Sequence, residues 1–279
     1  EGTLHREIDW AFATGADGIG SGMVAEILRL TYSERLRLTE LMTEFAVGRG
    51  SVFAAVGAES TLQAIEYSRA AERAGCDAVM AVPPLTTKLS PDRMVAYFSS
   101  IADSISIPVI VQDASGYVGQ SIPISVCSKL LKAYDEHKIL FKPEGSPIGP
   151  NLSALRDATE GRARIFEGSG GILLIDSFRR GITGTMPGMD LLDGIVALWK
   201  ALKAGDDDRA YSIWYPVCGL VALQLQAGLD GFLAIEKHLL VRRGIFPSER
   251  RRQPNSWDID EETRIEVDRL FDRMLLALK

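Results

Sequence analysis

The stretch Ile139-Leu140-Phe141-Lys142-Pro143-Glu144-Gly145 decides how the chain is read. A β-strand through this apolar run drives the Lys142 ammonium into a closed interior, and such burial needs a reason. A desolvated lysine loses much of its preference for the charged form, and the neutral amine condenses with a ketone to give a Schiff base. The alternative is a lysine at a strand end whose head reaches water or pairs with Glu144. Side chains two apart on a strand share a face, so Glu144 stands on the same side as Lys142. A carboxylate there can take a proton from the carbon next to an iminium, which is general base work. If Pro143 instead ends the strand, Glu144 turns outward as an ordinary loop carboxylate.

Working outward, short β-branched runs alternate with amphipathic stretches along most of the chain. Asp17–Gly22, Ser51–Val56, Ala78–Val82, Pro108–Val111, Ile139–Lys142, Ala163–Phe166 and Ile182–Met186 read as strands. Helical patterns follow, as in Ser33–Val47, Thr61–Ala74, Pro91–Ser104 and Ile122–Tyr134. They open on Ser, Thr or Pro start signals, and several close on Gly. Strict alternation implies parallel pairing with right-handed crossovers, an α/β fold of the (β/α)8 or TIM barrel type. Seven strands are visible where such a barrel has eight, and the chain opens on a helical pattern (Leu4–Ala13), so a first strand is expected ahead of Glu1. Residues 1–205 read as the barrel. Residues 206–279 carry no strand pattern and read as a C-terminal helical extension of about three helices.

The composition narrows the function classes. The 279 residues are 46% hydrophobic and 24% charged, which suits one large α/β domain with an appendage. A formal charge of −6 and a pI near 5.3 argue against a nucleic-acid or anionic-membrane surface. Cys76, Cys127 and Cys218 are odd in number and form no CxxC pair, so neither a disulfide framework nor a zinc site is expected. A reducing cytoplasm fits. The opening residues lack the apolar core of a signal peptide. His5, His137 and His238 lie away from the strand ends, and none reads as a metal ligand. Gly18, Gly20 and Gly22 only superficially match a dinucleotide fingerprint, because the third glycine is mis-spaced.

In a parallel barrel the chemistry sits where strands end. The ends here include Gly20-Ser21-Gly22-Met23-Val24, Gln112-Asp113-Ala114, Glu167-Gly168-Ser169-Gly170-Gly171 and Thr183-Gly184-Thr185. Small residues there let backbone N–H groups approach a carboxylate or phosphate, although tight strand-to-helix turns explain any one glycine equally well.

With these residues in hand, the chain resembles the dihydrodipicolinate synthase and N-acetylneuraminate lyase family. The markers are Asp17-Gly18-Ile19, Glu26, Ser60-Thr61-Leu62-Gln63-Ala64-Ile65, Ala74-Gly75-Cys76-Asp77-Ala78, Ile107-Pro108-Val109-Ile110 and Phe141-Lys142, between about Gly2 and Phe246. The resemblance implies an eight-stranded barrel with a helical extension, a Schiff base on Lys142, and a homo-oligomer, tetramer or dimer. It also exposes departures. Gln112 stands where relatives carry a relay tyrosine, Met23 and Val24 replace two threonines, Leu85 a second tyrosine, and Tyr117 an arginine that grips the second substrate. The proton relay is therefore expected to be absent and the usual lysine-precursor synthesis lost.

The segments Val111–Ala114, Phe141-Lys142 and Thr183–Met186 look more like the branch of 2-keto-3-deoxy sugar acid dehydratases. The expectation is thus a lyase acting on a small 2-oxo acid. Lys142, Glu144 and Gln112 are the expected catalytic residues. Met23 and Val24 are expected to hold the substrate carboxylate through backbone N–H groups, and Asp113, Ser169 and Gly184 to line the site. Neither cofactor nor metal is expected, since the iminium is its own electron sink. Two rivals stay open: a pyruvate-forming aldolase, and a barrel that binds a 2-oxo acid without turning it over.

Overall fold

A computed structural model describes residues 1–279. In chain order, α1 (Gly2–Thr14), β1 (Gly18–Gly20), α2 (Tyr32–Ala46), β2 (Ser51–Ala55) and α3 (Thr61–Ala74) come first. They lead into β3 (Ala78–Ala81), α4 (Pro91–Ser104), β4 (Val109–Asp113), α5 (Ile124–Ala133) and β5 (Ile139–Pro143). Then follow α6 (Ile148–Ala158), β6 (Phe166–Glu167), α7 (Leu174–Arg179), β7 (Gly184–Thr185) and α8 (Leu192–Ala204). The extension consists of α9 (Asp207–Leu225), α10 (Gly228–Arg242) and α11 (Glu261–Ala277). Local signals set the boundaries. Thr31 and Glu34 form a reciprocal capping box at the start of α2, and Gly75 closes α3 in the left-handed region at φ 92°.

Strands β1 to β5 pair in parallel in sequence order, and β6 pairs in parallel with β7. A parallel bridge between Phe141 and Ile165 joins the two sets, so the seven strands follow one another around a TIM-type barrel wall. Two strand expectations need correction. Instead of Ala163–Phe166 and Ile182–Met186, regular pairing covers only Phe166–Glu167 and Gly184–Thr185. Single ladder bonds from Phe141 N to Arg164 O and from Thr183 N to Ile165 O join the residues just before β6 to β5 on one side and to the approach to β7 on the other. In the other direction β4 runs two residues beyond Val111, which brings Gln112 into register with Lys142 and Asp113 with Pro143.

The alternation of each strand divides its side chains. Val79, Val109, Val111, Ile139 and Phe141 point into a core shared with Phe98 and Ile101 of α4 and Leu130 and Leu131 of α5. Gln112 and Lys142, one residue on, therefore point to the barrel interior. A second core joins Leu174 and Ile175 of α7 and Ile195 and Leu198 of α8 to Val217, Leu220, Ile235, Leu239, Phe271 and Met274 of the extension. The last two barrel helices and the three added ones share that core. No helix is long and apolar enough to cross a membrane.

Candidate active site

Lys142 is 7% exposed and Glu144 3%. The Lys142 Nζ lies 3.1 Å from Glu144 Oε2. Pro143 does not end the ladder, because the Glu144 N–H donates to the Asp113 carbonyl at 2.8 Å. Glu144 accordingly stays on the interior face. Gln112 Nε2 donates to Glu144 Oε2 at 2.6 Å, and the Tyr117 hydroxyl donates to Glu144 Oε1. Three groups thus converge on one carboxylate, which is how a buried charge is tolerated.

Tyr117, expected only as the replacement of an arginine, brings a phenol to Glu144. It arrives from the loop after β4, where Tyr117 N and Val118 N both donate to the Ala114 carbonyl. Burial and the neighbouring Glu144 push its phenol well above the usual range, so the hydroxyl stays protonated and remains a donor. Gly168, on β6's continuation, is a further close neighbour. A methyl group there would lie 2.5 Å from Glu144 Oε1 and 2.6 Å from Lys142 Cε, so only glycine leaves room for the pair.

The remaining expected site residues fall differently. Val24 and Ser169 line a cavity of about 600 Å³ that opens onto Glu144 and Tyr117. Met23 is buried beside Ile27, Val82 and Ala114, and borders a smaller cavity of about 270 Å³ together with Gln112. Met23 and Val24 open a 3-10 turn, whose first N–H groups have no acceptor inside the turn. Asp113 does not line either cavity. Strand parity opposes it to Gln112, and its oxygens accept from Ser115 N (2.9 Å) and Ile122 N (2.8 Å), stapling the loop that carries Tyr117. Gly184 likewise serves packing, lying against the Phe166 ring.

Glu167 was not anticipated. It is buried with its oxygens on Ser169 N (2.7 Å) and Thr185 Oγ1 (2.9 Å), and burial raises its carboxyl above the usual range. Parity again places it opposite Gly168, where it holds the loop into α7. The cavity's far wall was also illegible, since α9 and α10 supply Leu225, Leu229 and Phe232. Two ion pairs tie α10 to the segment that follows this 3-10 turn. Glu26, in the left-handed region at φ 56°, accepts from Lys237 Nζ and from Arg252 N at 2.7 Å. Arg29 Nη2 meets Asp230 Oδ1 at 2.6 Å, and the other Asp230 oxygen accepts from Ser256 N and Oγ. No group of three or more His, Cys, Asp or Glu side chains is placed to hold a metal.

A lysine and a carboxylate thus stand paired at the carboxyl ends of the strands of a parallel barrel. The chain belongs to the dihydrodipicolinate synthetase family, which matches residues 1–272. It is 28% identical over 273 residues to the L-2-keto-3-deoxyarabonate dehydratase of Azospirillum brasilense, covering 94% of this chain and 84% of that protein. It is 37% identical over 120 residues to the 4-hydroxy-tetrahydrodipicolinate synthase of Pelobacter propionicus, covering 43% of this chain and 41% of the relative. A Neisseria meningitidis synthase matches at 30% identity over 58% of this chain and 57% of its own length, so about half of each synthase is spanned. The fold superimposes on the 4-hydroxy-tetrahydrodipicolinate synthase of Methylacidiphilum fumariolicum SolV with a TM-score of 0.87 at 23% identity, covering 99% of this chain and 90% of the other.

Proposed function

We propose that this protein is a lyase that dehydrates a 3-deoxy-2-oxo acid bearing a C4 hydroxyl, the head group shared by the 2-keto-3-deoxy sugar acids, through a Schiff base on Lys142. The observation that carries this reading is the buried pair of Lys142 Nζ and Glu144 Oε2 at 3.1 Å, of which Glu144 lines a cavity large enough for substrate. The lysine amine adds to C2 and water leaves, giving an iminium. Glu144 removes a C3 proton, and the resulting enamine expels the C4 hydroxyl, which takes that proton and departs as water. Hydrolysis of the unsaturated iminium then frees a 2-oxo-3-enoic acid and returns the lysine. Tyr117 and Gln112 hold the Glu144 carboxylate in place by hydrogen bonds at both oxygens. The N–H groups of the Met23–Ala25 turn are the proposed rest for the substrate carboxylate.

The long match to a keto-deoxy acid dehydratase supports dehydration over condensation. The test is borohydride reduction with pyruvate, followed by turnover of 2-keto-3-deoxyarabonate. An adduct on Lys142 and a dehydrated product are expected. Pyruvate released from the sugar acid would favour aldol cleavage, and an adduct without turnover would leave a binding protein. We further read the protein as a cytoplasmic homo-oligomer, dimer or tetramer. Its free cysteines and the exposed Leu28 and Tyr32 support that reading.

A further inference from the structure

The cavity that opens onto Glu144 is far larger than a four-carbon oxo-acid head requires. Its volume of about 600 Å³ lies within the range of sites that enclose drug-sized molecules. Beyond Glu144 and Gly168 its wall is made by Ile148, Ile172, Leu173, Leu225, Leu229 and Phe232. These side chains come from four elements or their entry loops and leave one continuous apolar lining.

The polar groups on this wall are mostly engaged already. The Tyr117 hydroxyl is on Glu144, and Ser169 Oγ accepts from Leu173 N at 3.0 Å. The two Asp176 oxygens are held by Arg180 at 2.8 and 2.9 Å. That leaves the Ser146 hydroxyl and the Ser169 hydroxyl proton, a poor match for a tail of several hydroxyls, each of which loses water on entry and needs a partner. No Arg, Lys or His lines the cavity, and its two carboxylates, Glu144 and Asp176, already hold Lys142 and Arg180, so a second carboxylate would find no uncommitted cation.

Resting on the Lys142 reading, we infer that the substrate is a monocarboxylic 4-hydroxy-2-oxo acid whose substituent beyond C4 is apolar, an aryl group or a medium alkyl chain. Leu229 and Phe232, from the helical extension, then set specificity, and the added helices become part of the substrate site.

The test is a series of 4-hydroxy-2-oxo acids with one head and four tails: hydroxymethyl, carboxyl, n-hexyl and phenyl. Consumption is followed by kcat/KM whatever the product, beside borohydride trapping with pyruvate. The phenyl or hexyl compound should exceed the hydroxymethyl compound by at least tenfold, the carboxyl compound should be the poorest, and Phe232→Ser should narrow the phenyl-to-hydroxymethyl ratio. With pyruvate still trapped on Lys142, an equal or better hydroxymethyl substrate would overturn the tail assignment alone. Absence of any pyruvate adduct would overturn the Lys142 reading as well.

Discussion

Gly168 and Glu144 face each other across the strand ends so closely that a single methyl group on residue 168 would lie 2.5 Å from the Glu144 carboxylate. Gly168→Ala must therefore displace Glu144 or Lys142, both packed and hydrogen-bonded. Turnover should fall at least about tenfold, because a misplacement near 1 Å can cost on the order of a hundredfold. Circular dichroism and the thermal midpoint should change little. Wild-type rates in this variant would show that the close approach has no catalytic consequence.

Lys142→Ala should abolish the borohydride-trapped pyruvate adduct, read by intact-protein mass spectrometry. An adduct of unchanged mass and yield in the variant would place the covalent chemistry on another lysine.

Glu144→Gln separates condensation from proton transfer. The adduct should still form, since condensation precedes removal of the C3 proton, while turnover drops by about a hundredfold or more, as expected for loss of a general base. Deuterium uptake into C3 of bound pyruvate should slow in parallel. Near-normal exchange would remove Glu144 from the proton transfer.

Pyruvate and aspartate semialdehyde should give no cyclic condensation product with the purified protein. Gln112 stands in the place of the relay tyrosine, and Tyr117, in the place of the arginine, is committed to Glu144. The cavity offers no basic side chain to hold the second carboxylate. Robust product formation, followed by coupled assay, would refute the argument from these departures.

Asp190 gives a stability prediction. It is 3% exposed, accepts from Gln224 Nε2 at 2.7 Å, and burial pushes its carboxyl up to about 6 against the pull of Arg243. Glu236, raised in the same direction by burial and by Asp190, lies in the same cluster. A carboxyl whose folded pKa lies above its unfolded value stabilises the fold at low pH and loses that contribution as pH rises, here between about 4 and about 6. Asp190→Asn keeps an acceptor for Gln224 without the buried charge. Urea unfolding should find the variant more stable at pH 8 by up to about 3 kcal/mol, with a flatter pH profile between 4 and 6. A profile unchanged from wild type would contradict this.

The pairing of Lys142 with Glu144 was legible because a strand repeats every two residues and Pro143 costs it only one donor. The same parity also carried the signal that Asp113 and Glu167 face away from the interior, each being one residue from an inward position. Reading them by type, as acids at strand ends, obscured it. Tyr117 was not legible, since its reach to Glu144 depends on how the loop after β4 folds back, which the stapling by Asp113 fixes. Nor were Leu229 and Phe232, whose periodicity marks a helix without saying which cavity that helix covers.

The tie between Glu26 and its partners spans most of the chain: Lys237 and Arg252 lie 211 and 226 residues further on. During synthesis the barrel strands therefore emerge well before the groups that pin the 3-10 turn and wall the cavity. Lys142 can be made, threaded and buried while the cavity beside Glu144 still stands open. The wall is fastened late, with the segment near Ser256, so a ribosome stalled shortly before that point would carry a nascent barrel with Lys142 and Glu144 in place and α10 not yet held against it.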